Sequence, residues 1–285
     1  MKYFALTAAI ALMSTSVSAA TIGVVLTSDV KVGGNTRIID EVLDGQNPVP
    51  LTGNETQSVT AQDADQFGPG RGTATASYTV DQATGSFKFG ASADITAPTS
   101  QVESSAGSLV QLNIAETFNI QGTGDITLSL AIDGFLNASP ARNGSAQFDA
   151  RMRLVDQTGA FGFDVIGSDS ISAKALVGTS TMIDEVLQFT TTITKSQDYL
   201  FLLGLNASAS TFQKGTGNSG SANANFLNTA LLSFTAADTL TVTASDPAFL
   251  GGAAPVAPVP LPAGVVLMLS GFAALRLAKR KPAHG

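Results

Sequence analysis

The stretch GDITLSLAIDG, Gly124 to Gly134, decides the fold class. Ile126, Leu128, Leu130 and Ile132 fall on one side of an extended chain, and Asp125, Thr127, Ser129 and Asp133 on the other. This is the period of two that a strand shows when one face is buried and the other wet, whereas a helix would scatter the same apolar residues around its circumference. The alternation recurs in Phe87, Phe89, Ala91 and Ala93, in Leu112, Ile114, Phe118 and Ile120, and in Phe148, Ala150, Met152 and Leu154. It continues in Phe161, Phe163 and Val165, in Leu187, Phe189, Thr191 and Ile193, and in Leu232 and Phe234 followed by Leu240 and Val242. Threonine and valine enrichment favours strands.

Between these runs, Asp81 to Gly85 and Asp156 to Gly159 read as tight hairpin loops, with glycine available for positive φ. No segment carries a long apolar stripe at helical spacing, so the expected architecture is all-β: an antiparallel β-sandwich, jelly-roll-like, occupying residues 21–250. Asn47 to Arg71, rich in proline and glycine and without periodicity, reads as an exposed loop or linker. The pentapeptide Ile39 to Leu43 recurs as Ile183 to Leu187, too short an echo to establish a repeat.

The N-terminus has Lys2, an apolar stretch from Tyr3 to Met13, and Val17-Ser18-Ala19 before Ala20. That is the pattern of a secretory signal peptide over residues 1–20, cleaved after Ala19 or Ala20. The apolar run is well short of the ~20 residues a spanning helix needs. Without the leader and the tail, ten of the fifteen basic residues remain against all 22 acidic ones, a net charge of −12. Such a body repels phosphate backbones and anionic headgroups, which disfavours nucleic acid and peripheral membrane binding.

Cysteine is absent and the only histidine is His284. Disulfides, thiolate metal sites, thiol nucleophiles and any triad or metal cage built on imidazole in the body are excluded. No cofactor or metal is expected. Carboxylates alone remain able to hydrolyse glycosides, and Glu116 and Asp164 lie in strand-like segments, where acids on the wet face or at an edge are the simpler reading. Asp63 and Asp65 form a D-x-D pair without the rest of a calcium loop. Gly215 to Gly220 matches a dinucleotide-binding string, but in a Ser/Asn/Gly-rich setting that reads as a hairpin loop. Sugar platforms use exposed aromatic rings, and after leader removal the chain offers only Tyr78 and Tyr199 beside phenylalanines of buried parity. Asn54, Asn143 and Asn206 open N-x-S/T patterns, which are common by chance.

After GGAAPVAP, a flexible linker at 251–258, the chain ends with Val259-Pro260-Leu261-Pro262-Ala263, an apolar segment from Ala263 to Leu275, and the basic residues Arg276, Lys279, Arg280 and Lys281. Two prolines keep the motif extended and outside the following hydrophobic helix, and the positive cluster marks the cytoplasmic side. This arrangement over 259–285 resembles the PEP-CTERM family of sorting signals in its VPLPA variant. The resemblance implies processing near the motif by a membrane-embedded exosortase after a transient inner-membrane stage. It also implies a non-enzymatic protein of the cell surface or extracellular matrix, associated with exopolysaccharide or biofilm. Ser221 to Gly252 is similar to the last strands that precede such tails. A carbohydrate-binding or adhesive lectin-like module on the same delivery system is the alternative, with an exported glycosidase third.

Overall fold

A computed structural model describes residues 20–246 apart from 34, 36–37, 44–48, 51–53, 65–69, 82–83, 97–102, 140–142, 159–162 and 214–218. The leader to Ala19, the linker, the sorting motif and the C-terminal helix therefore lie outside the described residues. Fourteen strands follow in order: β1 (Thr21–Lys31), β2 (Ile38–Leu43), β3 (Val49–Pro50), β4 (Asn54–Ala64), β5 (Arg71–Asp81), β6 (Ser86–Thr96) and β7 (Ser104–Gly122). The second half holds β8 (Gly124–Ala138), β9 (Ser145–Asp156), β10 (Asp164–Leu176), β11 (Thr179–Ile193), β12 (Gln197–Gln213), β13 (Gly220–Ala236) and β14 (Leu240–Ala244).

All pairings are antiparallel. The first sheet runs β10-β9-β12-β7-β1-β2, with β14 also on β7 and β3 on β1; the second runs β11-β8-β13-β6-β5-β4. Their inner faces close on one core. The apolar parity of Gly124–Gly134 is realised on β8: Ile126, Leu128, Leu130 and Ile132 are buried. Opposite-sheet aromatic rings lock the layers, Phe148 of β9 lying 4.1 Å from Phe226 of β13, which also stacks on Phe89 of β6 at 5.1 Å. Gly134 occupies an inward position of β8, and a Cβ there would strike the Phe226 ring and approach Asn225 O to 2.6 Å. The glycine is what admits the ring. On the wet face of the second sheet, threonines face each other across strands, as in Thr127 and Thr190 with hydroxyls 2.8 Å apart, a pairing that contributes a few tenths of a kcal/mol or more.

Exposed edge strands invite pairing with other chains. Here carboxylates from the edge of one sheet cap amides on the edge of the other: Thr60 N donates to Asp40 Oδ2 at 3.0 Å, joining β4 to β2, and Gln188 N donates to Asp169 Oδ2 at 2.8 Å, joining β11 to β10.

Two sequence expectations need correction here. The stretch 47–71 holds β3 and the eleven-residue β4; β4 escapes notice because, as an edge strand, it buries only Val59 and Ala61 among apolar residues. Phe163 and Val165 are 57% and 53% exposed. A bulge between Val165 and Gly167 shifts the β10 register by one, so the inward set becomes Ile166, Ile171 and Ala173. The IDEVL echo falls on β2 and β11, edge strands of opposite sheets, but Ile39 is 53% exposed and Ile183 only 3%.

Candidate functional site

Val259, Pro260, Leu261, Pro262, Ala263, Arg276, Lys279, Arg280, Lys281 and Ala19 lie outside the described residues. Of the sequence-marked processing positions, Ala20 is described, buried at the start of β1. Gly215 to Gly217 and Asp65 also lie outside. Gly220 opens β13 opposite Ile95, in strand rather than at a helix start.

Asp63 accepts hydrogen bonds from Val32 N at 2.8 Å and Asn35 Nδ2 at 2.9 Å, tying β4 to the end of β1. Its carboxylate is thus engaged with the chain. Among the described residues no cluster of three or more His, Cys, Asp or Glu side chains is placed to hold a metal ion. Tyr78 and Tyr199 are both buried, Tyr199 donating its hydroxyl to Lys195 O at 2.9 Å, so neither forms a platform for sugar.

Glu116 overturns the expectation of a wet-face or edge acid. It sits on the inward parity of β7 between Ile114 and Phe118, is 1% exposed, and faces Phe201 across β12. Ser245 Oγ donates to its Oε1 at 2.6 Å and Asp246 N at 3.0 Å. Burial pushes its carboxyl up to about 7; the Ser245 and Asp246 hydrogen bonds oppose this, and the negative Asp246 adds to it. The gap at position 116 in the run Leu112, Ile114, Phe118, Ile120 was the signal that could have found it.

Asp164 lies at the start of β10, in register through Asp156 and Tyr199 with Phe118. Three strand spacings separate its row position from β7, about 14 Å, beyond the roughly 5–10 Å between paired glycosidase carboxyls. Glu116 and Asp164 are not brought together. Asp156, directly opposite Asp164, feels burial raising its carboxyl, but the Thr158 hydroxyl and amide, each at 2.7 Å, with Gln197 and Lys195, hold it below the usual range.

The outer face of the first sheet carries an open depression of about 320 Å³, rimmed by polar side chains and with Ala150, Ile171 and Leu205 adding apolar surface. Two neighbouring cross-strand rows build it: Asn113, Gly204, Arg151 and Ser170, and Gln111, Asn206, Asp149 and Ser172. Gly204 is its floor. A Cβ there would meet only Asn113 Oδ1 at 3.7 Å, so neither packing nor backbone geometry demands glycine, although glycine within a strand costs about 0.5–1 kcal/mol relative to alanine. A strand glycine goes with a bulge, a bend or a close approach to the backbone, and the register of β12 runs unbroken through Gly204.

The fold thus defines a two-sheet antiparallel β protein with a buried acid at one flank and an open depression on one face. No family model matches the chain, and a search of curated proteins gives no significant match.

Proposed function

We propose that this is an exported, exosortase-sorted protein of the cell surface or extracellular matrix, non-enzymatic and associated with exopolysaccharide or biofilm. The observation that carries the reading is the order of parts: a leader ending at Ala19 or Ala20, then the VPLPA motif, apolar segment and basic end over 259–285. The structure supports the division, since β1 begins at Thr21 and β14 ends at Ala244, leaving a strand-built body between the two signals. Repeated crossing between the sheets from β6 to β9 and from β10 to β14 supports a jelly-roll-like winding. The exosortase is the membrane partner, and the apolar segment, as a single helix, holds the protein in the inner membrane until it is processed.

Intact-mass measurement of the native protein tests this. The C-terminus should lie between Val259 and Ala263, and Pro260→Ala with Pro262→Ala should leave the full-length form in the membrane. A wild-type surface protein ending at Gly285 would reduce the tail to an anchor.

The lectin-like reading is favoured by the Gly204 depression. Its amides, hydroxyls, Arg151 and Asp149 offer hydrogen-bond donors and acceptors to a hydroxyl-rich chain, and its open shape suits a polymer better than an enclosed small molecule. Gly204→Val adds a strand-favouring residue yet fills the floor. It should keep the melting temperature and weaken binding to polysaccharide at least tenfold; unchanged binding would remove the depression from consideration.

A further inference from the structure

Along one flank of β7, β14 and β1 lie end to end and run in the same direction. β14 pairs with Phe118 to Gly122 and β1 with Ser105 to Ala115, so only Glu116 and Thr117 lie between their partners. Thr117 is met by Ser245, whose amide donates to its carbonyl at 2.9 Å. One further step of the β1 register, beyond Thr21 opposite Ala115, sets Ala20 beside Glu116. Ala20 follows the inward parity of Ile22, Val24 and Leu26 and is 0% exposed. Residues opposite each other in an antiparallel pair stand about 5 Å apart, Cβ to Cβ, so the continued register brings the first residue of the body and the Glu116 side chain together on the inner face.

The chemistry of this junction is incomplete. Oε1 of Glu116 holds both hydrogen bonds from Ser245 and Asp246, while Oε2 is enclosed without a hydrogen-bond partner. Asp246 brings a charge of the same sign, and Phe201, opposite on β12, brings none. A buried carboxyl with one oxygen unsatisfied and a second acid beside it calls for a cation.

We propose that this cation is the mature chain's own amino terminus: the leader is cut between Ala19 and Ala20, and the α-ammonium created on Ala20 binds Glu116 Oε2. Hydrolysis adds one water across the Ala19–Ala20 amide, leaving a carboxylate on the departing leader and an amine on Ala20, which takes up a proton at neutral pH. Before the cut, the same nitrogen is an uncharged amide. Afterwards, Glu116 joins the first residue of the body to Ser245 and Asp246 near its end. A cut after Ala20 would instead remove a buried residue and place the charge on Thr21, whose side chain has the opposite parity. The proposal rests on the export reading for the existence of a cut; the register and the unpaired oxygen belong to the fold.

N-terminal sequencing of the exported protein should begin at Ala20. Chains running from Ala20 to Gly285 with a free and with an acetylated amino terminus should then differ at neutral pH, the free form melting higher by about 4 °C or more. In Glu116→Gln, which keeps the shape and loses the charge, that difference should shrink to near zero. A mature start at Thr21 or later, or equal melting of the free and acetylated chains, overturns the latch while leaving export intact. An exported protein that retains Met1 overturns both.

Discussion

In a chain whose Ala20 nitrogen is still an amide, replacing Glu116 by glutamine should stabilise the protein at neutral and alkaline pH and change little in acid. The Glu116 carboxyl keeps its proton up to about pH 7 when folded, against an ordinary value of 4.5. Between those values the folded state binds more protons than the unfolded one, so stability is full below 4.5 and falls as pH rises through 7. At ~1.4 kcal/mol per pH unit the loss reaches ~3 kcal/mol. The effective dielectric of protein sites, well above that of a dry interior even where they are buried, brings the figure nearer ~2 kcal/mol. Glutamine retains an acceptor for Ser245 Oγ and Asp246 N but cannot ionise, so its stability should be flat across this window apart from changes shared with wild type. Urea unfolding of both proteins from about pH 4 to pH 8 measures the difference, which corresponds to about 4–8 °C in melting temperature at the upper end. Parallel profiles for wild type and Glu116→Gln would refute the buried-acid account.

Gly134→Ala should destabilise by about 1–3 kcal/mol, because its methyl meets the Phe226 ring and the Asn225 carbonyl; thermal unfolding should show a fall, whereas Gly204→Ala, with open space above it, should be neutral or stabilising. Asp169→Ala frees the Gln188 amide on edge strand β11 and should cost about 1 kcal/mol while raising concentration-dependent aggregation in light scattering; a variant as monodisperse as wild type would argue against edge capping. Reducing agents should leave the melting temperature unchanged, since the chain has no cysteine.

The sheet-forming runs were legible because β6, β7, β8 and β9 alternate apolar and polar residues over long stretches, and burial follows that parity from Phe87 to Leu154. Legibility failed where the pattern is set by position in the sheet. β4 is an edge strand whose inward face includes polar residues, and Phe163 and Val165, which precede a one-residue bulge, face the other way from Ile171 and Ala173 beyond it. The buried acid was half legible, since parity marked position 116 as inward, but its partners lie about 130 residues away in Ser245 and Asp246. No local spacing encodes such a contact. The Gly204 depression was invisible for the same reason: Gln111, Asp149, Arg151 and Asn206 become neighbours only through the registers of β7, β12 and β9.

The placement of the body's two ends bears on how a tether would load it. Thr21 and Ser245 both bind the same three-residue stretch of β7, at Ala115 and Thr117. A pull applied beyond Asp246 acts first on the Ser245 amide at Thr117 and on the two bonds to Glu116, before it reaches the five-residue ladder of β14. Those few bonds are broken one after another from the strand end, so their strength sets how readily β14 peels. An ammonium on Ala20 draws Glu116 into its ionised form, and a carboxylate accepts the Ser245 and Asp246 hydrogen bonds more strongly than a neutral acid does. On the proposed export reading, removal of the leader would thereby tighten the point from which the proposed sorting tail departs. The Gly204 depression begins on β7 and extends away from that flank across β12, β9 and β10.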